Sequence, residues 1–299
     1  CRVDDRLVRD ADGRALITVD DLVTFWRNPC RWFVARVLGM ALHFDEGDLD
    51  DEPFEVDALG KYRIRRWMID HVDDLPPVDV IVERAEHELG TASGRSGRVH
   101  TRKVVETTLG RWHDVLASDP RPRPREVDRS GSTWRLTGTL DVDPAQGQMV
   151  WVPKREVEAD ALIEAYVRHV ILGATRGEDG SPPWATCVVA AEKALKVLDD
   201  MVGDPGALLD EMIAGFVEGQ RRPLRFFRGT TLAWCSKSRQ LDDRFDVDVA
   251  RSVADEIASA WEGGDHQRGD RDDAEVALCM RGVRTRSEER RVGKECATG

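Results

Sequence analysis

The residues best placed for chemistry lie in a two-strand segment near the middle of the chain. Residues 133–141 end in a Gly-x-x-Asp pattern at Asp141, and residues 149–154 carry Val152 and Lys154. Magnesium-dependent nucleases of the PD-(D/E)xK type place an Asp on the first such strand and an acid-x-Lys on the second. They need two carboxylates because Mg²⁺ prefers oxygen ligands in near-octahedral geometry. The lysine stabilises charge on the phosphate or orients the attacking water.

Val152 occupies the position of the second acid. A lone carboxylate is a poor magnesium site, so we predict a nuclease scaffold without catalytic residues or metal, in which Asp141, Val152 and Lys154 are vestigial positions. Gly-x-x-Asp is also common in ordinary hairpins, because both residues favour turns. A rival interpretation supplies the missing ligand from Asp143 or Glu156 and retains activity, although the alternation of strand side chains makes that geometry hard to restore.

The surrounding sequence predicts the elements that must position this hairpin. Periodicity and turn residues predict, in order, a helix over 101–116, strands over 126–128, 133–140 and 149–152, a helix over 157–172 and a strand over 185–190. This α-β-β-β-α-β order is that of restriction-endonuclease-like cores, which carry their catalytic residues on the second and third strands. We therefore predict an α/β (α+β) fold with a PD-(D/E)xK-type core, added helices and a lost catalytic set.

Capping signals predict further helices. Thr18 with Asp21 begins one helix, and Asn28-Pro29 begins another that ends at Gly39. Additional helices are predicted over 57–72, 80–89, 191–202, 205–219, 247–261 and 273–280. The helix capped by Asp57 is predicted to pack through Leu59, Tyr62, Ile64 and Trp67. Residues 90–97 are predicted to form a loop, and residues 223–227 an apolar strand or buried extended segment.

The net charge of −12 over 299 residues argues against a surface coated uniformly by nucleic acid. Any contact with DNA must therefore be local, although basic clusters are more often solvated loops. The candidate DNA-binding residues are Arg95, Arg98, Arg102 and Lys103, beside His100, and Arg221, Arg222 and Arg225, followed by Arg228. A third run, residues 119–125, alternates proline with arginine and is predicted to be a stiff extended linker.

Several classes of site are not expected. The six cysteines are widely separated with no Cys-x-x-Cys pair, and the seven histidines show no metal-ligand spacing, which argues against zinc and iron–sulfur sites. Scattered cysteines suit a reducing cytoplasm, the expected location. The sequence has no Gly-x-x-x-x-Gly-Lys-Ser/Thr loop for ATP and no apolar run of membrane-spanning length, so neither a nucleotide site nor membrane contact is expected.

The nine tryptophans fit either a structural or a nucleic-acid-binding role. Four fall on apolar helix faces and are predicted to lie in the core: Trp26, Trp32, Trp67 and Trp112. Trp151 and Trp184 flank the hairpin, where packing is favoured over stacking on a base.

Several stretches together resemble the C-terminal region of the RecC family, the gamma chain of exodeoxyribonuclease V. They are residues 19–29 with the Phe-Trp-x-x-Pro element, Glu52-Pro53-Phe54 with Leu59-Gly60-Lys61-Tyr62, the hairpin at 133–154, the helix at 162–172, and 208–219 followed by Arg222-Pro223-Leu224. The first two elements are fairly specific in combination. The resemblance covers about residues 16–282.

This resemblance implies a nuclease-like fold that does not cut, in a helicase–exonuclease complex for double-strand break repair by homologous recombination. It implies that the family holds the RecB and RecD subunits together and guides the separated strands of a DNA duplex end. ATP and Mg²⁺ are implied for the partner subunits, with no cofactor in this chain. The complex is an enzyme, but this domain is expected to be inactive.

Residues 1–15 are expected to be the tail of a preceding helicase-like domain and residues 16–283 the RecC-like domain. Because the chain begins with Cys1, it is expected to be a fragment. Residues 286–296 resemble the translation of a DNA-sequencing adapter, so residues 284–299 are expected to be an artefact without function. A third interpretation, a helical binding module unrelated to DNA, rests on the low overall basicity, and the domains upstream would distinguish it.

Overall fold

The computed structural model describes residues 7–41, 56–89, 94–117, 122–144, 147–175, 185–191, 196–198, 203–237, 247–264 and 267–281. The chain divides into two compact units. The first unit comprises Cys1–Arg27 and Phe44–Glu218, and the second comprises Asn28–His43 and Gly219–Gly299. Among the described residues, no helix has both the length and the apolar character that a membrane span requires.

Within the described ranges the chain forms eight strands and ten α-helices, distributed over the two units. The strands are β1 (Ala15–Thr18), β2 (Arg123–Ser130), β3 (Trp134–Asp143), β4 (Gly147–Val152), β5 (Thr186–Ala190), β6 (Lys196–Leu198), β7 (Gly263–Gly264) and β8 (Gln267–Arg268). The α-helices are α1 (Val19–Arg27), α2 (Pro29–Trp32), α3 (Ala58–Asp70), α4 (Val78–Glu88), α5 (Gly94–Ala117), α6 (Ala159–Ala174), α7 (Pro205–Gly219), α8 (Arg228–Lys237), α9 (Val247–Glu262) and α10 (Ala274–Cys279).

A mixed sheet of six strands, β1 to β6, organises the first unit around β3. β2 runs antiparallel along one edge of β3, from the pair Arg123–Val142 to the pair Ser130–Arg135. β1, which is parallel, and β4, which is antiparallel, share the opposite edge of β3. β5 then pairs in parallel with β4, and β6 pairs antiparallel with β5. The order α-β-β-β-α-β predicted for residues 101–190 is confirmed as α5, β2, β3, β4, α6 and β5.

The sheet has two differently covered faces. Val142 of β3 pairs with Gln148 of β4, so the even-numbered residues of both strands point to one face, because strand side chains alternate. On that face Val150 and Val152 cluster with Ala161 of α6, and we call it the α6 face. The odd-numbered residues point to the opposite face, which we call the α5 face.

On the α5 face, Trp151 meets Trp112 of α5 edge to face, with ring centroids 4.9 Å apart. Val189 of β5 joins this cluster. The cluster is completed by buried side chains of α3, α4 and α5, namely Ile64, Met68, Ile81, Ala85 and Val105. Burying each large apolar side chain contributes about 1.5–3 kcal/mol. The core therefore sandwiches β4 and β5 between helices on both faces.

The predicted helix starts are confirmed where a polar side chain caps the backbone. Thr18 Oγ1 accepts a hydrogen bond from Asp21 N at 3.0 Å, and Asn28 Oδ1 accepts one from Arg31 N at 2.9 Å. The helix after Asn28 continues as a π-helical turn, Phe33–Val37. The predicted end at Gly39 is confirmed by its φ of +69°, a conformation that favours glycine.

Two further helix predictions are also confirmed. Asp57 Oδ1 accepts a hydrogen bond from Gly60 N at 2.6 Å at the start of α3. At the start of α10, Asp273 Oδ1 accepts one from Glu275 N at 3.3 Å. Such caps satisfy backbone donors that the first helical turn leaves unpaired.

Two packing and loop predictions are wrong. Leu59 and Tyr62 were predicted to pack but are 49% and 40% exposed, because the buried side of α3 runs through Gly60, Ile64 and Met68. Residues 94–97 were predicted to be loop but form the first turn of α5. That turn is stabilised from outside, because Glu86 Oε1 accepts a hydrogen bond from Gly94 N at 3.1 Å.

Three further predictions of secondary structure are wrong. Residues 123–125, predicted as linker, belong to β2, because pairing with β3 extends past Pro124 to Arg123. Residues 196–198, predicted as helix, form β6 on the edge of β5. Pro223–Phe227 has no regular structure and is at most half-buried.

The second unit is built mostly from short helices. Trp32 donates from Nε1 to Gln220 Oε1 at 3.2 Å in its interior. Phe227 packs on Trp261 of α9 with ring centroids 4.8 Å apart. The helix predicted over 247–261 is confirmed as α9. No helix is predicted from the sequence at α8.

Candidate functional site

The structure places the three residues predicted to be vestigial nuclease positions at different points around the β3–β4 hairpin. Asp141 is exposed and points to the α5 face, since it is odd-numbered in β3. Val152 is 5% exposed and points to the α6 face at the end of β4. Lys154 lies beyond Pro153, in the loop that leads to α6. The sheet therefore separates Asp141 from Val152.

Glycines explain the local geometry of this hairpin. Gly147 has a φ of +84°, and a Cβ there would lie 2.2 Å from the carbonyl oxygen of Ala185. Gly138, the glycine of the Gly-x-x-Asp pattern, has a φ of +147°, and its Cβ would lie 3.0 Å from Val19 Cγ2. The absence of a side chain at Gly138 therefore lets α1 pack closely against the sheet, which is a structural role.

Lys154 forms ion pairs with two nearby carboxylates. Its Nζ lies 2.6 Å from Glu158 Oε2 and 3.3 Å from Asp160 Oδ2. Burial lowers the pKa of Lys154, but the two carboxylates outweigh it and hold that pKa above its ordinary value. Burial likewise raises the pKa of Asp160, but Lys154 and Arg27 hold it below its ordinary value of 3.8. Both groups are therefore held in their charged forms.

These pairs continue into a charged network between α1 and α6. Arg27 places Nη2 at 3.4 Å from Asp160 Oδ2 and Nη1 at 3.3 Å from Glu164 Oε2. Arg168 lies 3.2 Å from Glu164 Oε1 and 3.8 Å from Asp20 Oδ1. Lys154 thus belongs to an ion-pair chain that joins the end of β4 to two helices.

The described residues of the hairpin do not fit a magnesium ion. No group of three or more His, Cys, Asp or Glu side chains within the described ranges is arranged to hold a metal. Of the two alternative ligands, Asp143 shares the α5 face with Asp141 but is 5% exposed. Glu156 lies in the exposed loop after β4. Among the described residues, neither belongs to a group of three or more potential metal ligands.

The first basic cluster lies on α5, and its members differ in their partners. Arg98 Nε lies 2.7 Å from Glu86 Oε2, and Arg102 pairs with Asp79, both across the α4–α5 contact. These two arginines therefore join helices. Arg95 and Lys103 are exposed, and among the described residues neither forms an ion pair.

The arginines predicted as linker turn out to stabilise a helix. Arg123 and Arg125 lie in β2 on the α6 face, together with Arg129, because Arg125 pairs with Leu140. Arg125 Nη2 donates to the carbonyl oxygen of Thr175 at 3.0 Å, and Arg129 Nη1 donates to that of Ala174. These cations sit at the carboxyl end of α6, where the helix dipole favours positive charge. Arg121 lies outside the described residues.

The second basic cluster belongs to the second unit and precedes α8. Arg221, Arg222 and Arg225 are all exposed. Arg228, the first residue of α8, lies 3.7 Å from Asp273 Oδ2.

The predicted core tryptophans are buried or pack against the core, with Trp26 half-buried beside Phe25 at a ring-centroid distance of 5.3 Å. Trp32 is 8% exposed and Trp112 fully buried, while Trp67 packs against the same cluster as Trp112. Trp151 packs on Trp112 instead of facing solvent. Trp184 lies outside the described residues. Trp234, which no sequence pattern singles out, is 51% exposed.

The chain is similar in sequence to known proteins. The family described as the RecC C-terminal domain matches residues 14–239. Two curated proteins named RecBCD enzyme subunit RecC, from Mycobacterium tuberculosis strains CDC 1551 / Oshkosh and ATCC 25618 / H37Rv, are each 27% identical to the chain over 248 residues. The aligned region covers 79% of this chain and 22% of each relative, so the chain spans about a fifth of their length. The family match covers most of the chain, which therefore belongs to the RecC C-terminal domain family.

Proposed function

We propose that this chain is a non-catalytic part of a RecBCD-type helicase–exonuclease, with a PD-(D/E)xK-like core that no longer cuts DNA. In this role it holds RecB-type and RecD-type motor subunits and guides the strands that they separate during repair of double-strand breaks. Val152 is the observation that carries the proposal. It replaces an acid in the motif and packs with Val150 and Ala161 on the α6 face.

The positions of the other two residues support the same conclusion. Asp141 is exposed on the opposite face of the sheet. The ammonium group of Lys154 is engaged by Glu158 and Asp160. A nuclease needs carboxylates and a lysine around one phosphate. In this hairpin Asp141 and Val152 lie on opposite faces of the sheet.

A cleavage assay tests the loss of catalysis. The chain is incubated with end-labelled single-stranded and duplex DNA in Mg²⁺ or Mn²⁺, and we expect no products. Asp141→Asn is assayed beside Thr139→Ala, a matched change at an exposed position of the same strand face. Metal-dependent cleavage that Asp141→Asn abolishes and Thr139→Ala preserves would contradict the proposal and establish an active nuclease.

The partner role is tested by co-purification. The chain should be retained by RecB-type and RecD-type subunits from the same organism, with its fold verified by circular dichroism. Folded protein that binds neither subunit would contradict the scaffolding role.

The contact with DNA is tested on α5. Arg95→Ala and Lys103→Ala should each weaken DNA binding and reduce its salt dependence, because each removes an available cation. Arg98→Ala serves as the control, since Arg98 already pairs with Glu86. Equal losses in all three variants would indicate a general effect of charge and remove α5 from the proposed DNA path.

A further inference from the structure

β2 lies at a border of the six-stranded sheet, and among the described residues only β3 pairs with it. The two strands keep one register over all eight residues of β2. The turn that joins them continues this register, because Gly131 N donates to the carbonyl oxygen of Trp134 at 2.9 Å. Antiparallel residue pairs alternate between those that exchange backbone hydrogen bonds and those that do not. The turn therefore fixes which backbone groups of β2 face β3.

This alternation divides the backbone of β2 into two rows. Counted from the pair Gly131–Trp134, the odd-numbered residues of β2 bond to β3, and the even-numbered residues point their backbone groups away from it. The outward N–H donors belong to Glu126, Asp128 and Ser130, which we call the β2 edge. Beyond the β2–β3 ladder, no described residue accepts a hydrogen bond from these three N–H groups. All three residues are exposed.

Pro124 occupies the remaining outward position of β2. Because proline has no N–H, it leaves the ladder with β3 complete at this position, whereas it would remove a bond at an odd-numbered one. The carbonyl oxygen of Pro124 remains as an acceptor beside the β2 edge. The border thus offers a row of donors and acceptors about five residues long, which is an ordinary length for a strand.

The side chains of β2 are sorted by charge between the two faces of the sheet. Three arginines lie on the α6 face and two acids lie on the other face. Charges on an exposed border prevent indiscriminate pairing, and a mixture of signs suffices for that. Separation by sign also selects a strand whose two sides carry the opposite charges. The residues concerned are Arg123, Arg125, Arg129, Glu126 and Asp128.

Two of these charges are available to a partner. Arg123 and Glu126 are exposed, and within the described ranges neither forms an ion pair. Asp128 is already engaged by Arg135 through two hydrogen bonds, at 2.9 and 2.6 Å. The other two arginines donate to carbonyl oxygens at the end of α6. Arg123 and Glu126 are three positions apart, so they address opposite sides of any strand placed beside β2.

We propose that the β2 edge binds an extended segment of a partner protein, which joins the six-stranded sheet as a further strand. The segment pairs through its backbone with the β2 edge and places an acid beside Arg123 and a base beside Glu126. Backbone pairing provides the affinity, and the side chains provide the selectivity. This inference rests on the proposed scaffolding function and deepens it, because it assigns a surface and a binding mode for a partner subunit.

Amide hydrogen exchange resolved by residue tests the inference on the full chain, with RecB-type and RecD-type subunits as the probes. In the free chain, the amides of the β2 edge should exchange faster than those of Val127 and Arg129, which bond to β3. In the complex, the amides of the β2 edge should become protected by about 10-fold or more. The amides of Val127 and Arg129 should change little, since they are already paired.

Two substitutions at one position separate backbone pairing from charge. Glu126→Pro removes an outward donor and its ring obstructs an added strand, so it should weaken binding of the subunit by about 10-fold or more. Glu126→Ala is the matched control, because it keeps the N–H and removes only the charge, and it should cost less than about 5-fold. Arg123→Glu should weaken binding more than Arg123→Met, because it places two acids side by side. Circular dichroism verifies that each variant is folded.

Four outcomes would overturn the inference. A complex in which the amides of the β2 edge still exchange freely would leave scaffolding intact but place the contact elsewhere. Protection of these amides in the dilute free chain would mean that the chain itself occupies the border, and protection that grows with its concentration would make a second copy the occupant. Equal losses from Glu126→Pro and Glu126→Ala would reduce the contact to a single charge. If neither subunit binds the folded chain, scaffolding fails as well.

Discussion

Asp141 and Val152 leave the sheet on opposite faces, because Val142 pairs with Gln148 and no residue interrupts the alternation of β3 or β4. One residue faces solvent and the other faces α6. We therefore expect that restoring the sequence motif would not restore a metal site. The separation also makes the hairpin a useful test of whether a motif or its geometry decides activity.

Val152→Glu should not confer metal-dependent cleavage, and it should destabilise the first unit by roughly 3–5 kcal/mol, because the carboxylate enters an apolar cluster. Val152→Ala is the control and should cost about 1–3 kcal/mol for the lost methyl groups. Urea unfolding and the cleavage assay measure both effects. A stable Val152→Glu variant that cuts DNA in Mg²⁺ would show that the position still lies in an active site.

Asp160→Asn should lower the free energy of unfolding by about 1–3 kcal/mol near neutral pH, because Lys154 and Arg27 both lose a charged acceptor. Glu158→Gln should cost less than about 1 kcal/mol, since the Glu158 side chain is 57% exposed. Denaturant titrations at fixed ionic strength compare the two. Equal costs would mean that burial of Asp160 does not strengthen its pairs.

The same variant has a defined pH dependence. The folded state holds the pKa of Asp160 below its ordinary value of 3.8, so folding favours the charged form. The resulting stabilisation is present above pH 3.8 and is lost as the pH falls through the lowered pKa. The wild type should therefore lose its advantage over Asp160→Asn on acidification, and a constant difference would contradict this linkage.

Arg129→Met should destabilise the first unit by about 1 kcal/mol, because the Ala174 carbonyl loses a cationic donor at the end of α6. Arg123→Met, on the same face of β2 but exposed, should change stability by less than about 0.5 kcal/mol. Thermal unfolding provides the comparison. If both substitutions had the same effect, general charge and not helix capping would be responsible.

Asp270→Ala should increase amide hydrogen exchange at Gly229 and Thr230 and cost about 0.5–2 kcal/mol, the range for a lost helix cap. Asp255→Ala, at an exposed position of α9, is the control and should leave these amides protected. Unchanged exchange in Asp270→Ala would mean that α8 does not depend on this remote cap.

Local sequence signals predicted those parts of the fold that local chemistry determines. Thr18, Asn28 and Asp57 each cap a helix through a hydrogen bond to a residue three positions later, and a pattern can reveal that. The order of strands and helices around the hairpin was equally accessible, because each element has its own periodicity.

Elements stabilised by distant partners were not predictable in this way. β6 forms because β5 offers an edge for pairing. The sequence of α8 has no apolar stripe that would indicate a helix. Its cap comes from Asp270, about forty positions later in the chain. The candidate site was hard to predict for the same reason, because its residues also depend on distant partners. The roles of Lys154, Arg98 and Arg129 became evident once Asp160, Glu86 and Ala174 stood beside them.

The segregation of charge on β2 also affects association between copies of this chain. Arg123, Arg125 and Arg129 project from one side of the strand, and Glu126 and Asp128 from the other. If two copies joined antiparallel through this strand to extend the sheet, residues of the same side would stand opposite each other. Within the strand, every symmetric register centred on a residue from Arg123 to Arg129 would then oppose arginine to arginine or acid to acid. The repulsion protects this border of the sheet from self-assembly while leaving it open to a strand of different charge pattern.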